Sequence, residues 1–150
     1  MCGSISSQTI RVGAKHFNES YILGEIFSQL LEANGYKVQR NFNLGGTLVC
    51  FESLREGQID VYPEYTGTIS EAILKLNEKT NLSDLNKKLL ELHKLEISGS
   101  LGFNNTYGLA VKRSTAEKYH LKSISDLAVN STIKTALSYE FLKRKDGWEN

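Results

Sequence analysis

The chain has 150 residues, 40% of them hydrophobic, which is enough for a buried core in one domain or two small lobes. Its 18 Lys and Arg stand against 17 Asp and Glu with no long block of either sign, so neither nucleic acid nor anionic membrane is implied as a bulk partner, and a ligand's charge has to be met locally. No run reaches the length of about eighteen apolar residues that marks a spanning helix, and the N-terminus lacks the basic and apolar regions of a signal peptide, so a soluble chain is expected.

Residues 1–8 form a Gly/Ser-containing leader or tag. Two origins fit Met-Cys-Gly-Ser-Ile-Ser-Ser: the start of a processed bacterial lipoprotein behind an added methionine, or a cloning remnant. Cys2 and Cys50 are far apart and differ in context, so no disulfide framework is expected, and Cys50 reads as a small buried hydrophobe.

The first strand is expected over Thr9 to Ala14. From Glu19 to Asn34, Ile22, Leu23, Ile26, Phe27, Leu30 and Leu31 recur at helical spacing and predict an inward stripe, with Gly35 as the stop. Tyr36 to Phe42 reads as a second strand, Leu48 to Glu56 as a helix ended by Gly57, and Ile59 to Tyr62 as a third strand stopped by Pro63. The β-α-β-α-β order predicts an α/β fold with a parallel sheet.

A helix follows over Thr66 to Asn77 with Ile69, Ala72, Ile73 and Leu76 inward. Ser83 is the expected cap of the next, in which Leu85, Leu89 and Leu92 face the core. Beyond Asn104-Asn105 the pattern predicts a strand over Thr106 to Lys112, short helices capped by Ser114 to Glu117 and Ser123 to Asp126 boxes, a strand over Thr132 to Leu137, and a helix from Ser138. A lobe boundary is placed near 104–107, and the second lobe reads as unfinished.

Enzyme signatures are missing. His16, His93 and His120 stand singly, with no H-x-x-x-H, C-x-x-C, G-x-S-x-G, Walker or G-x-G-x-x-G sequence, so no metal or cofactor is expected. His93 and His120 read as solvated surface positions. Glu64 beside aromatic residues could serve as a general acid, but glycoside hydrolysis needs a second carboxylate at a set distance and none is nominated.

Ligands of open α/β sheets bind at the carboxyl ends of strands, where three clusters fall: 15–20, 62–68 and 104–107. Tyr65 and Tyr107 can present ring faces to a cation that has no N–H, while Lys15 and helix-start amides near Thr68 can take a carboxylate. Such a set suits a zwitterion such as a betaine, although a tyrosine at a strand end is as readily plain core, which is the reading for Tyr62.

The blocks G-A-K-H-F-N-E (13–19), L-G-G-T (44–47), G-Q-I-D-V-Y-P-E-Y-T-G-T (57–68), L-G-F-N-N-T-Y (101–107), T-A-E-K-Y (115–119) and E-F-L-K-R-K-D-G (140–147) together resemble the substrate-binding proteins of osmoprotectant ABC importers, the glycine betaine, choline and carnitine class. The resemblance implies a type II periplasmic-binding-protein-like fold of two lobes and a hinge, with residues 9–105 in lobe I and 106–150 opening an incomplete lobe II. It implies a non-enzymatic, cofactor-free receptor outside the cytoplasmic membrane, lipid-anchored at Cys2 or fused to its permease, that hands a quaternary-ammonium ligand to an ABC permease.

By the same resemblance Tyr65 and Tyr107 match cage tyrosines, Lys15 and Arg144 match the cations that hold a carboxylate, and Thr68 matches a neighbouring hydroxyl. Asn105 joins them as part of F-N-N-T-Y. Two departures stand out: Ser20 replaces a common Gln beside the ligand, and Tyr139 replaces a proline before Glu-Phe. They leave room for another trimethylammonium zwitterion, such as a betaine-bearing imidazole thione of the ergothioneine type. The more distant alternative is a hydrolase using Glu64.

Overall fold

The computed structural model describes residues 9–76, 80–105, 108–143 and 147. Strand β1 (Thr9–Gly13), helix α1 (Asn18–Ala33), strand β2 (Lys37–Asn41) and helix α2 (Thr47–Arg55) each lie within one residue of the span their pattern predicts. The strands pair in parallel, Ile10 opposite Val38 and Val12 opposite Arg40, with α1 as the crossover. Gly35, at φ 86°, follows α1 as the left-handed stop.

The expected third strand shrinks to a single parallel bridge between Val12 and Val61. Its two bonds are Gly13 N–H to Val61 O at 2.8 Å and Val61 N–H to Arg11 O at 3.3 Å, whereas Ala14 N–H turns the other way, to Asn41 O of β2. Two residue types stop the ladder from growing. On one side the Asp60 carboxylate takes the Arg11 N–H at 2.7 Å, and on the other Pro63 has no N–H to offer.

Helix α1 meets the sheet on a face the sequence pattern does not predict. Ser20, Gly24 and Ser28 are buried, while Ile22, Ile26 and Leu30 are 60%, 55% and 60% exposed. Small side chains let the helix approach closely: a Cβ on Gly24 would lie 3.0 Å from the Phe42 ring and 3.3 Å from Ala14 Cβ. The serine hydroxyls are satisfied, Ser28 donating to Gly24 O at 2.8 Å and Ser20 accepting from Lys15 N–H at 2.8 Å. Leu23, Phe27 and Leu31 are half-buried at the margin.

The helix expected over 66–77 is a short turn, α3 (Thr66–Thr68), running into a π-helical turn, Ile69–Ile73, closed by Leu74 N–H to Ile69 O at 2.9 Å. Lys75, at φ 53°, ends it, and Asn77 lies outside the described residues. Helix α4 (Leu82–His93) is capped by Asn81, whose side chain accepts the Asp84 N–H at 3.0 Å, and not by Ser83, which lies inside the first turn. Phe51, Ile69, Leu85 and Leu89 form the core, flanked by Ile73, Leu74, Leu76, Leu95 and Ile97. Leu92, expected in it, is exposed. His93 is not a solvated surface group: it is half-buried, edge-on to Phe51 at 5.0 Å. Val12, Ala14, Ile59 and Cys50 are also buried, the last as its context predicts.

Contacts divide the chain into two compact units between Gly99 and Ser100. The second contains α5 (Arg113–Lys118), a 3₁₀ turn at Ile124–Leu127 and α6 (Tyr139–Lys143). The Ser123 to Asp126 box is formed in both arms, and the backbone N–H groups of Lys122 and Ser123 hold the Asp126 carboxyl below its usual range. Ser114 is no cap, since Lys112 occupies that place without a side-chain bond. Ser138 Oγ accepts the Phe141 N–H at 3.2 Å. The strands expected at 106–112 and 132–137 do not form over 108–112 and 132–137, because extended chain becomes a strand only where a second edge completes its hydrogen bonds, and among the described residues none does. Thr106 and Tyr107 lie outside them.

Candidate functional site

The chain leaving β1 turns at Ala14 and buries Lys15, whose relative exposure is 5%. Its backbone N–H donates to Ser20 Oγ, so Ser20 holds the loop from the first turn of α1. The Lys15 ammonium donates to Glu64 Oε1 at 2.6 Å and to Thr47 Oγ1, at the start of α2, at 3.4 Å. Both charged side chains are withdrawn from solvent, Lys15 to 6% exposure and Glu64 to 8%.

Glu64 is brought here by the bridge at Val61 and the rigid Pro63 that follows. Its Oε1 also accepts the Tyr65 N–H at 2.8 Å, while Oε2 is buried and has no hydrogen-bond partner of normal geometry among the described residues. The Tyr62 phenol lies against this carboxylate, and burial first, then the neighbouring charge, pushes its pKa far above the ordinary value. Upstream, Arg11 clamps the same segment by donating to both Asp60 oxygens and to Gly57 O, which holds the Asp60 carboxyl below its usual range.

Two aromatic rings border the ammonium. Phe17 and Tyr65 are stacked at 6.3 Å between centroids and 29° between planes, and Lys15 Nζ lies 5.6 Å from the first centroid and 5.3 Å from the second. The Tyr65 hydroxyl donates to Glu19 Oε1 in the first turn of α1, which fixes the ring's orientation. Thr68 is buried two residues into α3.

Lys15, Ser20, Tyr65 and Thr68 all lie in the first unit, where Lys15 meets Ser20 and the Tyr65 ring. Asn105 lies in the second, exposed, and Tyr107 and Arg144 fall outside the described residues. Tyr139 is exposed in α6 with Lys143 Nζ 5.7 Å from its ring. Sequence reasoning missed Phe17, Glu19, Thr47 and the role of Glu64 as counterion to Lys15. Phe17 carried a faint signal, two residues beyond Lys15 in the same strand-end loop; the Lys15 and Glu64 pairing spans 49 positions and had none.

Among the described residues no three His, Cys, Asp or Glu side chains gather as a metal site, and no helix is long and apolar enough to cross a membrane. What the first unit offers is a buried cation, two carboxylates, hydroxyls and a pair of ring faces. That is the chemistry of a recognition site for a small charged solute.

Comparison with known proteins gives this chemistry a context. The family described as the substrate binding domain of ABC-type glycine betaine transport system matches residues 8–150. The ergothioneine transport permease/ergothioneine binding protein EgtU of Helicobacter pylori is 37% identical over 97% of this chain and 27% of its own length. The glycine betaine-binding protein YehZ of Escherichia coli is 33% identical over 94% of this chain and 50% of its own, and the carnitine transport binding protein OpuCC of Listeria monocytogenes is 33% identical over 98% and 50%. The solved structure of apo YehZ from Escherichia coli superposes with a TM-score of 0.61 and 31% identity, covering 93% of this chain and 53% of that one. The chain therefore spans about half the length, or less, of these relatives. A family match over nearly every residue, joined to a periplasmic-binding-protein-like likeness, settles the kinship: the chain belongs to the family of substrate-binding domains of ABC-type glycine betaine transport systems.

Proposed function

We propose that this chain is part of an extracytoplasmic solute receptor that binds a quaternary-ammonium compound through aromatic faces and delivers it to an ABC permease. The observation that carries the reading is the buried cation already seated against Phe17 and Tyr65, with centroid distances of 5.6 and 5.3 Å. Rings that stabilise an ammonium at that range can stabilise a trimethylammonium in the same way. In this reading Tyr65, Phe17 and Tyr107 face the cationic end, and Lys15, Thr68, Arg144, Ser20 and Asn105 serve the other end of the ligand. Residues 9–105 belong to one lobe and 106–150 to the start of a second, and closure about a hinge turns occupancy into a shape the permease recognises.

Glycine betaine, choline, carnitine and ergothioneine are the ligands to compare. Ergothioneine comes first, because the relative named for it is the more identical, at 37% against 33%. The Glu64 hydrolase alternative finds no support: Glu64 is tied to Lys15 and the Tyr65 amide, and the family consists of transport proteins.

Calorimetry on the full-length protein tests the reading. Tyr65→Ala removes one face worth roughly 0.5–2 kcal/mol and should weaken binding about two- to thirtyfold, while Tyr65→Phe, which keeps the ring, should lose less. Unchanged affinity in Tyr65→Ala and in Tyr107→Ala would overturn it.

A further inference from the structure

We propose that Glu19 is a specificity-determining residue of this site: by taking the Tyr65 hydroxyl hydrogen bond as a carboxylate, it makes the Tyr65 ring face select a positive charge over a neutral group of the same shape. The inference rests on the receptor reading and refines what its aromatic wall distinguishes.

Two observations lead to it. Lys15, Phe17 and Glu19 stand at alternate positions where the chain passes from β1 into α1, and each meets Tyr65. The Lys15 ammonium lies 5.3 Å from the ring centroid, the Phe17 ring stacks at 6.3 Å, and the Glu19 carboxylate accepts the hydroxyl. Glu19 therefore brings a negative charge to the polar end of the ring. The second observation is that Tyr65 is held at both ends, its backbone N–H by Glu64 Oε1 at 2.8 Å and its hydroxyl by Glu19, in a half-buried setting.

A hydroxyl donating to a carboxylate makes a charge-assisted bond, and away from bulk water that bond polarises the phenol and enriches its ring in electron density. A cation against the ring face gains from that density. A neutral tert-butyl group of the same shape gains only from the apolar area it buries. The charge on Glu19 thus strengthens one contact and not the other. Glu19 also stands in the first turn of α1, where a negative charge suits the helix dipole, but a role confined to the helix start would affect the fold and every ligand alike.

The test uses the full-length protein with glycine betaine, choline and ergothioneine, each paired with its carbon isostere, in which a tert-butyl group replaces the trimethylammonium. Calorimetry, run by competition for the weaker isosteres, gives a ratio of dissociation constants for each pair, and the pair whose ammonium member binds most tightly decides. Four proteins are compared: unmodified, Glu19→Gln, Tyr65→Phe and the double variant. Gln keeps an acceptor for the hydroxyl but carries no charge. In Glu19→Gln the preference for the ammonium should fall at least about fivefold, with the isostere held within about twofold of its original affinity. In the Tyr65→Phe background the same change should move the ratio by less than about twofold, because the hydroxyl that relays the charge is gone.

A ratio that Glu19→Gln leaves unmoved, with both members of the pair weakened together or not at all, overturns the inference and assigns Glu19 to the helix start. A fivefold fall that persists without the Tyr65 hydroxyl overturns it too, since the charge would then act without the ring. In both cases the unmodified protein still binds its ligand and the receptor reading stands. An unmodified protein that binds none of the three ammonium compounds overturns the receptor reading and this inference together.

Discussion

Two of the ion-pair systems in the first unit have opposite character. Arg40 on β2 is the better bonded, with four hydrogen bonds of 2.7 to 3.0 Å to Glu25 and Glu32 on α1. Lys15 makes one short bond to Glu64. Yet Arg40 and its partners are 33%, 40% and 42% exposed, whereas the Lys15 and Glu64 side chains are at 6% and 8%. Bond counting would rank the outer system first; solvent reverses the order, because water can replace any partner lost at the surface and none lost inside.

The largest expected effect comes from breaking the inner pair on one side. Glu64→Ala strands a buried ammonium and should cost about 3–5 kcal/mol of unfolding free energy, read from urea midpoints, whereas removing both charges together should cost much less. A single variant that loses under about 1 kcal/mol would place the pair in the solvated class and erase the contrast.

The inner pair also marks where sequence reading ran out. Helices α1, α2 and α4 and strands β1 and β2 were legible because their signals are local: periodic Leu and Ile, stop glycines, alternating strands. The meeting of Lys15 with Tyr65 was legible from their places at strand ends, and motif resemblance pointed to the family. Which face of α1 would be buried was not, since the close approach through Ser20, Gly24 and Ser28 depends on Phe42 and Ala14 opposite, and periodicity alone favours the larger Ile22 stripe. The third strand failed for a related reason: Val61 and Tyr62 look like strand, but Asp60 takes the Arg11 amide and Pro63 has none of its own. In the second unit no described residue is buried, so strand-like composition had no partner edge to complete it.

A smaller effect tests how rigid the frame of the inner pair is. Gly13 lies two residues before Lys15, and a Cβ there would come within 2.5 Å of Ile59 Cδ1 and 3.3 Å of Leu44 Cδ1. Gly13→Ala should therefore destabilise by about 1–3 kcal/mol through overpacking. A neutral result would mean that Ile59 swings aside, and that β1 does not hold Lys15 as firmly as the burial of Val12 and Ala14 implies.

The smallest effect belongs to the outer system and carries its own signature. Bonding to Arg40 first, with Gln29 second, holds the Glu25 carboxyl at about 2 instead of 4.5, and Arg40 lowers Glu32 as well. A depressed carboxyl pKa contributes stability that is fully present above the unfolded value of 4.5 and is lost as pH falls through the folded value near 2. Arg40→Met should thus lower the unfolding midpoint slightly at pH 7, with the gap from the unmodified protein closing between pH 4.5 and 2. It should also close in about 1 M salt, where the screening length falls to roughly 3 Å. The deficit of Glu64→Ala should survive the same salt, because ions do not enter a site from which water is already excluded. If both deficits shrink alike, the inner pair is reached by solvent, and the contrast between the two systems disappears.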